Sequence, residues 1–221
     1  MEHLIEAQTA TAQIAWTKPN AEAILSEATR RFRTRMLSSR GQAGEDDAAA
    51  LADETIAIAP KLFSPLFGQI DLPVQQISET EIFIKDLRFA AGSWSTRLHE
   101  GDVLRMYCLS AGARGADVWQ HSNEDYVLAS TLHLLGSEIV YAIGRGFDKA
   151  IRSEKPDRNY WQKLALLSRE ESTADYCKWD PAVGHSFFTK FVGNDQPVSI
   201  TSEGSFDPIH TVLGLYCHCA K

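Results

Sequence analysis

The sequence predicts an α+β fold, a mainly antiparallel β-core (barrel or sandwich) carrying a helical N-terminal extension. Two observations carry this reading. Residues 20–60 place apolar side chains at helical spacing. From about residue 78 the pattern changes to short alternating segments separated by glycine- and aspartate-containing turns. The expected organisation is a helical extension over 1–75 and a β-rich core domain over 76–221.

The elements follow in order. Asn20 is placed to cap a helix bearing Ile24, Leu25, Ala28, Phe32 and Met36 on one side, with Arg30, Arg31, Arg33 and Arg35 on its solvated faces. After a break at 41–44, Asp46 or Asp47 starts a second helix through Ala49, Leu51 and Ile56, stopped by Pro60. Residues 81–85 read as a strand, and Val103–Leu109 as another, with Val103, Arg105, Tyr107 and Leu109 facing one way. A tight turn precedes it at Glu100, Gly101 and Asp102. Residues 117–120 suit a short strand. Tyr126–Leu135 fits helix or strand, because short apolar runs fit both. Residues 186–192, 198–201 and 211–219 complete the strand set.

Composition bounds the partners. The chain has 221 residues, so one domain, or one domain with an appendage, is expected. Hydrophobic residues make up 44% and charged residues 23%, enough to build an ordinary core. The net charge of -7 argues against nucleic acid as the main partner. No apolar run approaches the roughly 20 residues of a membrane span, and the first residues lack a basic start and apolar core. A cytoplasmic protein without a membrane partner is expected. Its four cysteines, none in a Cys-x-x-Cys pair, are expected to be reduced.

The stretch from Gly92 to Arg145 says most about chemistry. Arg145 stands between Gly144 and Gly146, a fixed cation where backbone can approach closely. That arrangement suits a small anionic or carboxylate-bearing ligand. Arg145, Arg105, Gly144 and Trp119 are the expected substrate-binding residues.

Gly92, Ser95, Gly101, Leu104 and Arg105, followed by Thr131, Leu132, Gly136, Tyr141, Gly144 and Arg145, resemble motifs of the urea carboxylase-associated family, which includes the carboxyguanidine deiminase subunits. The Phe-rich segment 187–192 resembles that family's late strand. The resemblance spans roughly 88–151 and, more weakly, 183–219. It implies a β-scaffold, a strand after Gly136 and a hydrolase of a small C–N substrate. The family's Asp-Thr, His-Asp and Gly-x-Cys segments after the Gly-Arg pair are replaced here by the run from Ile151 to Trp161.

Three sets could carry chemistry. On a strand, Cys217 and Cys219 share a face, where they are zinc ligands or buried thiols. His121 and Glu124, one helical turn apart, are joined by His133 as catalytic candidates or as metal ligands, against a plain polar loop and a core histidine. His185, at the entrance to the Phe-rich segment, completes the metal candidates His121, His133, His185, Cys217 and Cys219. The expected cofactor is a divalent metal, zinc first and iron second. The expected function is metal-dependent hydrolysis of a C–N bond in a guanidinium-, urea- or amide-like substrate, with a metal lowering the pKa of bound water towards about 7. A non-catalytic small-molecule-binding or partner subunit on that scaffold is one alternative. An oxygenase using a His/Glu/His set is another. A homo-oligomer, or pairing with a related subunit, is expected.

Overall fold

The computed structural model describes residues 13–38, 45–79, 81–85, 87–90, 98–154, 181–192, 196–201 and 205–218. Its architecture is α+β with a main antiparallel sheet. That sheet has the order β1 (Ala15–Thr17), β2 (Leu66–Pro73), β6 (Val103–Ser110), β9 (Thr211–His218). It is open, with β1 and β9 at its edges, so the described strands close no barrel. A smaller antiparallel sheet joins β3 (Gln76–Ile77), β4 (Glu81–Ile84) and β5 (Leu87–Ala90), and β7 (Ser199–Ile200) pairs with β8 (Phe206–Asp207).

Strand β6 is central and buried on both faces. Alternation sends Leu104, Met106 and Cys108 to one side and Tyr107 and Leu109 to the other. The first side meets Ile82 and Ile84 of β4 and Phe188 and Phe191 of helix α5 (Pro181–Phe191). The second meets three helices, α1 (Ala21–Ser38), α2 (Glu45–Leu62) and α4 (Tyr126–Glu154). The result is three layers, with helices on one side of the main sheet and the small sheet with α5 on the other.

Helix α1 forms as the sequence predicts. The Asn20 Oδ1 accepts from the Ala23 amide at 3.1 Å, and Ala28, Phe32 and Met36 are buried. The basic face is not wholly solvated. Arg31 Nε and Arg35 Nη1 donate to the two oxygens of Glu138 on α4, at 3.0 and 3.1 Å, and Glu138 is 4% exposed. The i, i+4 spacing of the two arginines lets one carboxylate take both. Arg33 pairs with Asp53 of α2.

Residues 20–60 are thus helical as expected but not an outlying extension. Helices α1 and α2 pack on α4, and β2 pairs with β6 along its whole length. A boundary near residue 75 would cut the main sheet. Pro60 lies inside α2, in its last turn, rather than stopping it.

Two expected strands, and the stretch that fitted helix or strand, are helices. Residues 117–120 lie in α3 (Gly115–His121), and 186–191 in α5. The stretch 126–154 is the single helix α4, started by Asp125, whose Oδ1 accepts from Val127 N at 2.7 Å and Leu128 N at 2.9 Å. Gly136, expected to precede a strand, and the glycine pair 144 and 146, expected to end the run, lie in its interior. The segment 126–151 is long and apolar enough to cross a membrane by length and composition alone, but it is mostly buried within the fold. That corrects the reading that no apolar stretch reaches that length.

Candidate functional site

The helical face of the sheet holds a cavity of about 400 Å³. It opens at the β9 edge, between that strand, β6 and α4. Tyr107 and Leu109 come from β6, Ser137, Val140 and Tyr141 from α4, and residues 209–212 from the segment entering β9. Tyr141, 58% exposed, and Ile209 stand at its mouth.

Two glycines shape this space. A Cβ on Gly136 would collide with the His210 ring, so the missing side chain lets that ring lie against α4. A Cβ on Gly214 would collide with the Tyr107 phenol, its register partner across β6 and β9. Tyr107 therefore lies over β9, packed against Phe147 at 5.2 Å and Tyr216 at 5.1 Å between ring centres. Phe67 of β2 extends this aromatic group, 4.7 Å from Phe147.

The polar groups are few. His210 Nε2 and His133 Nδ1 lie 3.1 Å apart, so one ring donates and the other accepts. Burial first, and the neighbouring His133 second, hold the His210 pKa down at about 4, so the ring is neutral at physiological pH. Thr211 Oγ1 lies 2.9 Å from Ser110 Oγ and 2.7 Å from Pro208 O, and Ala111 N donates to His210 O at 2.9 Å, fixing the loop. The Tyr107 hydroxyl is fully buried and has no hydrogen-bond partner among the described residues. Burial, with help from the Asp148 charge, pushes its pKa far above the usual phenol range. The site can thus enclose a flat, mainly apolar group and offer it hydrogen bonds from neutral partners.

The residues singled out from the sequence are dispersed. Arg145 Nη2 sits 2.6 Å from Glu27 Oε1 of α1 and does not line the cavity. Its flanking Gly144 is buried within α4. Arg105 makes a two-pronged pair with Asp71, at 2.7 and 2.9 Å. Trp119 is half-exposed on α3. The His121 ring contacts its own helix at Asp117 O, 2.8 Å away. Glu124 has φ of 60° in the turn after α3 ends, so the expected one-turn pairing with His121 is lost. His133 alone of the candidates reaches the cavity region, through His210. His185 is exposed on α5, Cys217 lies on β9 opposite Leu104, and Cys219 falls outside the described residues.

No protein-family model and no curated protein matches the sequence. Among solved structures, the chain is similar to the MetH reactivation domain bound to AdoHcy. The TM-score is 0.61 at 13% identity, over 94% of this chain and 78% of that one. At that identity the likeness establishes a shared fold.

The expected metal-dependent C–N hydrolase is therefore corrected, and with it the metal-dependent oxygenase alternative. The shared fold is that of a domain seen with AdoHcy, not of a metal hydrolase. Among the described residues no group of three or more His, Cys, Asp or Glu side chains could hold a metal ion. The reason is geometric, since His121, His133 and His185 sit on three different helices and Glu124 in the turn after α3. The sequence reading missed His210, Ser137 and Thr211, and gave Tyr107 only a place on a strand beside Val103, Arg105 and Leu109. Only the contacts of Gly136 and Gly214, each with a residue more than 70 positions away, reveal the site.

Proposed function

We propose that this chain is a small-molecule-binding domain whose ligand is of the AdoHcy class, held in the cavity between β6, β9 and α4. The observation that carries the reading is that cavity, walled by Tyr107, Tyr141 and the neutral His210, in a fold shared with a domain bound to AdoHcy. A volume near 400 Å³ falls in the range of about 300–1,000 Å³ typical of small-molecule sites. AdoHcy combines an adenine, a ribose and a zwitterionic tail. The adenine suits aromatic and imidazole walls, and the exposed mouth leaves room for the charged tail in water.

Calorimetric titration of the purified chain with AdoHcy tests this. Saturable one-to-one binding is expected. At a hundredfold excess over Kd, it should stabilise the fold by about 2.7 kcal/mol, read as a rise in Tm. Absence of binding and of any Tm change at millimolar AdoHcy would overturn the reading.

A further inference from the structure

The polar side chains of the cavity wall differ in what they have left to offer. Ser137 Oγ donates to His133 O at 3.2 Å, and Thr211 Oγ1 is taken up by Pro208 O and Ser110 Oγ. The Tyr107 hydroxyl is shut in beside Gly214. Tyr141 stands at the mouth. His210 is the one that lines the interior with a nitrogen to spare. It is half-buried, and its Nε2 faces His133 Nδ1 at 3.1 Å. Its Nδ1 has no hydrogen-bond partner among the described residues. That nitrogen is not sealed off, unlike the Tyr107 oxygen, so solvent reaches it.

Gly136 fixes how the ring is turned. The ring atoms nearest to a Cβ at that position would be Cδ2, Cγ and Nε2. The imidazole therefore meets α4 with that edge and turns Nδ1 and Cε1 away from the helix. Its backbone is held, because Ala111 N donates to His210 O at 2.9 Å and Thr211 continues into the ladder between β6 and β9. A positioned, accessible ring nitrogen in a largely apolar concave wall is the kind of group that orients a small ligand.

The histidine behind it sets what Nδ1 offers. A neutral imidazole has one N–H and one bare nitrogen. When His210 Nε2 donates to His133, Nδ1 is an acceptor. When Nε2 accepts from His133 Nδ1, His210 Nδ1 carries the proton and donates. The two arrangements interchange without a change of charge. Burial keeps the His210 ring uncharged at physiological pH, so it forms no ion pair with a ligand's charged tail. It does match the hydroxyl, amino and ring-nitrogen groups of a nucleoside.

We infer that His210 Nδ1 is the hydrogen-bonding contact for the adenosyl part of a ligand in this cavity, and that His133 is the positioning residue that sets whether it donates or accepts. The inference deepens the AdoHcy-class reading, on which it rests for the identity of the whole ligand.

Nitrogen-15 NMR of the full chain, labelled at histidine, reads each imidazole nitrogen, and the spectrum of His210→Gln assigns the His210 signals. Saturating adenosine should move the His210 Nδ1 signal, and homocysteine should not. The glutamine amide falls near the place of Nε2 and leaves nothing at Nδ1. In a variant shown by thermal melts to be folded, His210→Gln should therefore weaken adenosine binding roughly tenfold, the size of one lost hydrogen bond. His133→Leu should weaken it roughly twofold to tenfold. His133→Asn, whose amide stands in for Nδ1 and donates or accepts, should restore it. If AdoHcy fails to bind while adenosine binds and moves Nδ1, the AdoHcy reading falls and the inference stands. If AdoHcy binds and Nδ1 stays still, the inference falls alone, whatever the variants do. A shift of Nδ1 with homocysteine equal to that with adenosine overturns the assignment to the adenosyl part. Equal adenosine affinities in His133→Leu and His133→Asn overturn the part given to His133. Failure of both adenosine and AdoHcy to bind overturns both readings.

Discussion

On one face of β6, Leu104, Met106 and Cys108 meet Ile82, Ile84 and the Phe residues of α5. On the other, Tyr107 and Leu109 meet Phe147, Tyr216 and helix α4. The two faces are one residue apart in sequence and differ in kind. The first is apolar and holds a thiol, Cys108, which burial pushes far above the usual range and so keeps unreactive. The second buries a carboxylate shared by two arginines, a pair of threonine hydroxyls 3.0 Å apart between α2 and α4, a histidine pair and an orphan phenol. Side-chain alternation thus lets a single strand border two environments, an apolar core on one side and a cavity with buried polar groups on the other.

The strongest test of that division compares truncations on the two faces. Phe147→Ala removes the ring at the centre of the aromatic group and should cost about 3–5 kcal/mol of stability in denaturant unfolding. Leu104→Ala on the opposite face should cost about 2–5 kcal/mol. Only Phe147→Ala should also weaken AdoHcy binding by the folded protein. Equal loss of affinity in both variants would break the division.

A smaller effect comes from His210. Below its ordinary value of 6.5, the unfolded imidazole takes a proton that the folded one refuses until about pH 4. Stability is therefore complete above pH 6.5 and is lost as pH falls through that window, by up to about 3 kcal/mol. Unfolding free energies measured between pH 7 and 4 should show the decline, flattened in His210→Asn. A decline of the same size in the variant would assign it to other groups.

The smallest effect concerns the arginine that stood out most in the sequence. Arg145 pairs with Glu27, and both side chains are partly exposed, 39% and 42%. Exchange for lysine should change stability by no more than about 1 kcal/mol and leave AdoHcy affinity unaltered. A tenfold loss of affinity would move the site towards α1 and blunt the comparison.

What the sequence made legible is local. The Asn20 cap, the apolar stripe of α1, the turn at Gly101 and the facing of Val103, Arg105, Tyr107 and Leu109 depend on neighbours within a few positions, and each appears in the fold. Helix α4 stayed ambiguous between helix and strand because its apolar residues come in short runs, such as Leu134–Leu135 and Ile139–Val140, that fit either element. Its β-branched residues, Thr131, Ile139, Val140 and Ile143, also imitate a strand. The site escaped for a related reason. His133 meets His210 across 77 positions, and no spacing rule spans that distance.

Helix α4 is apolar over a length that would suit a bilayer, yet here it is mostly shut away inside the fold. Chain order bears on how that happens during synthesis. Helices α1 and α2 and strands β2 and β6 all leave the ribosome before it, and β9 leaves last. A helix this greasy therefore emerges onto a shelter already made on one side, with only its β9 edge waiting to be covered. A chain begun at residue 66 would keep β2 and β6 but deliver the same helix without the cover of α1 and α2, a natural quarry for chaperones or membranes.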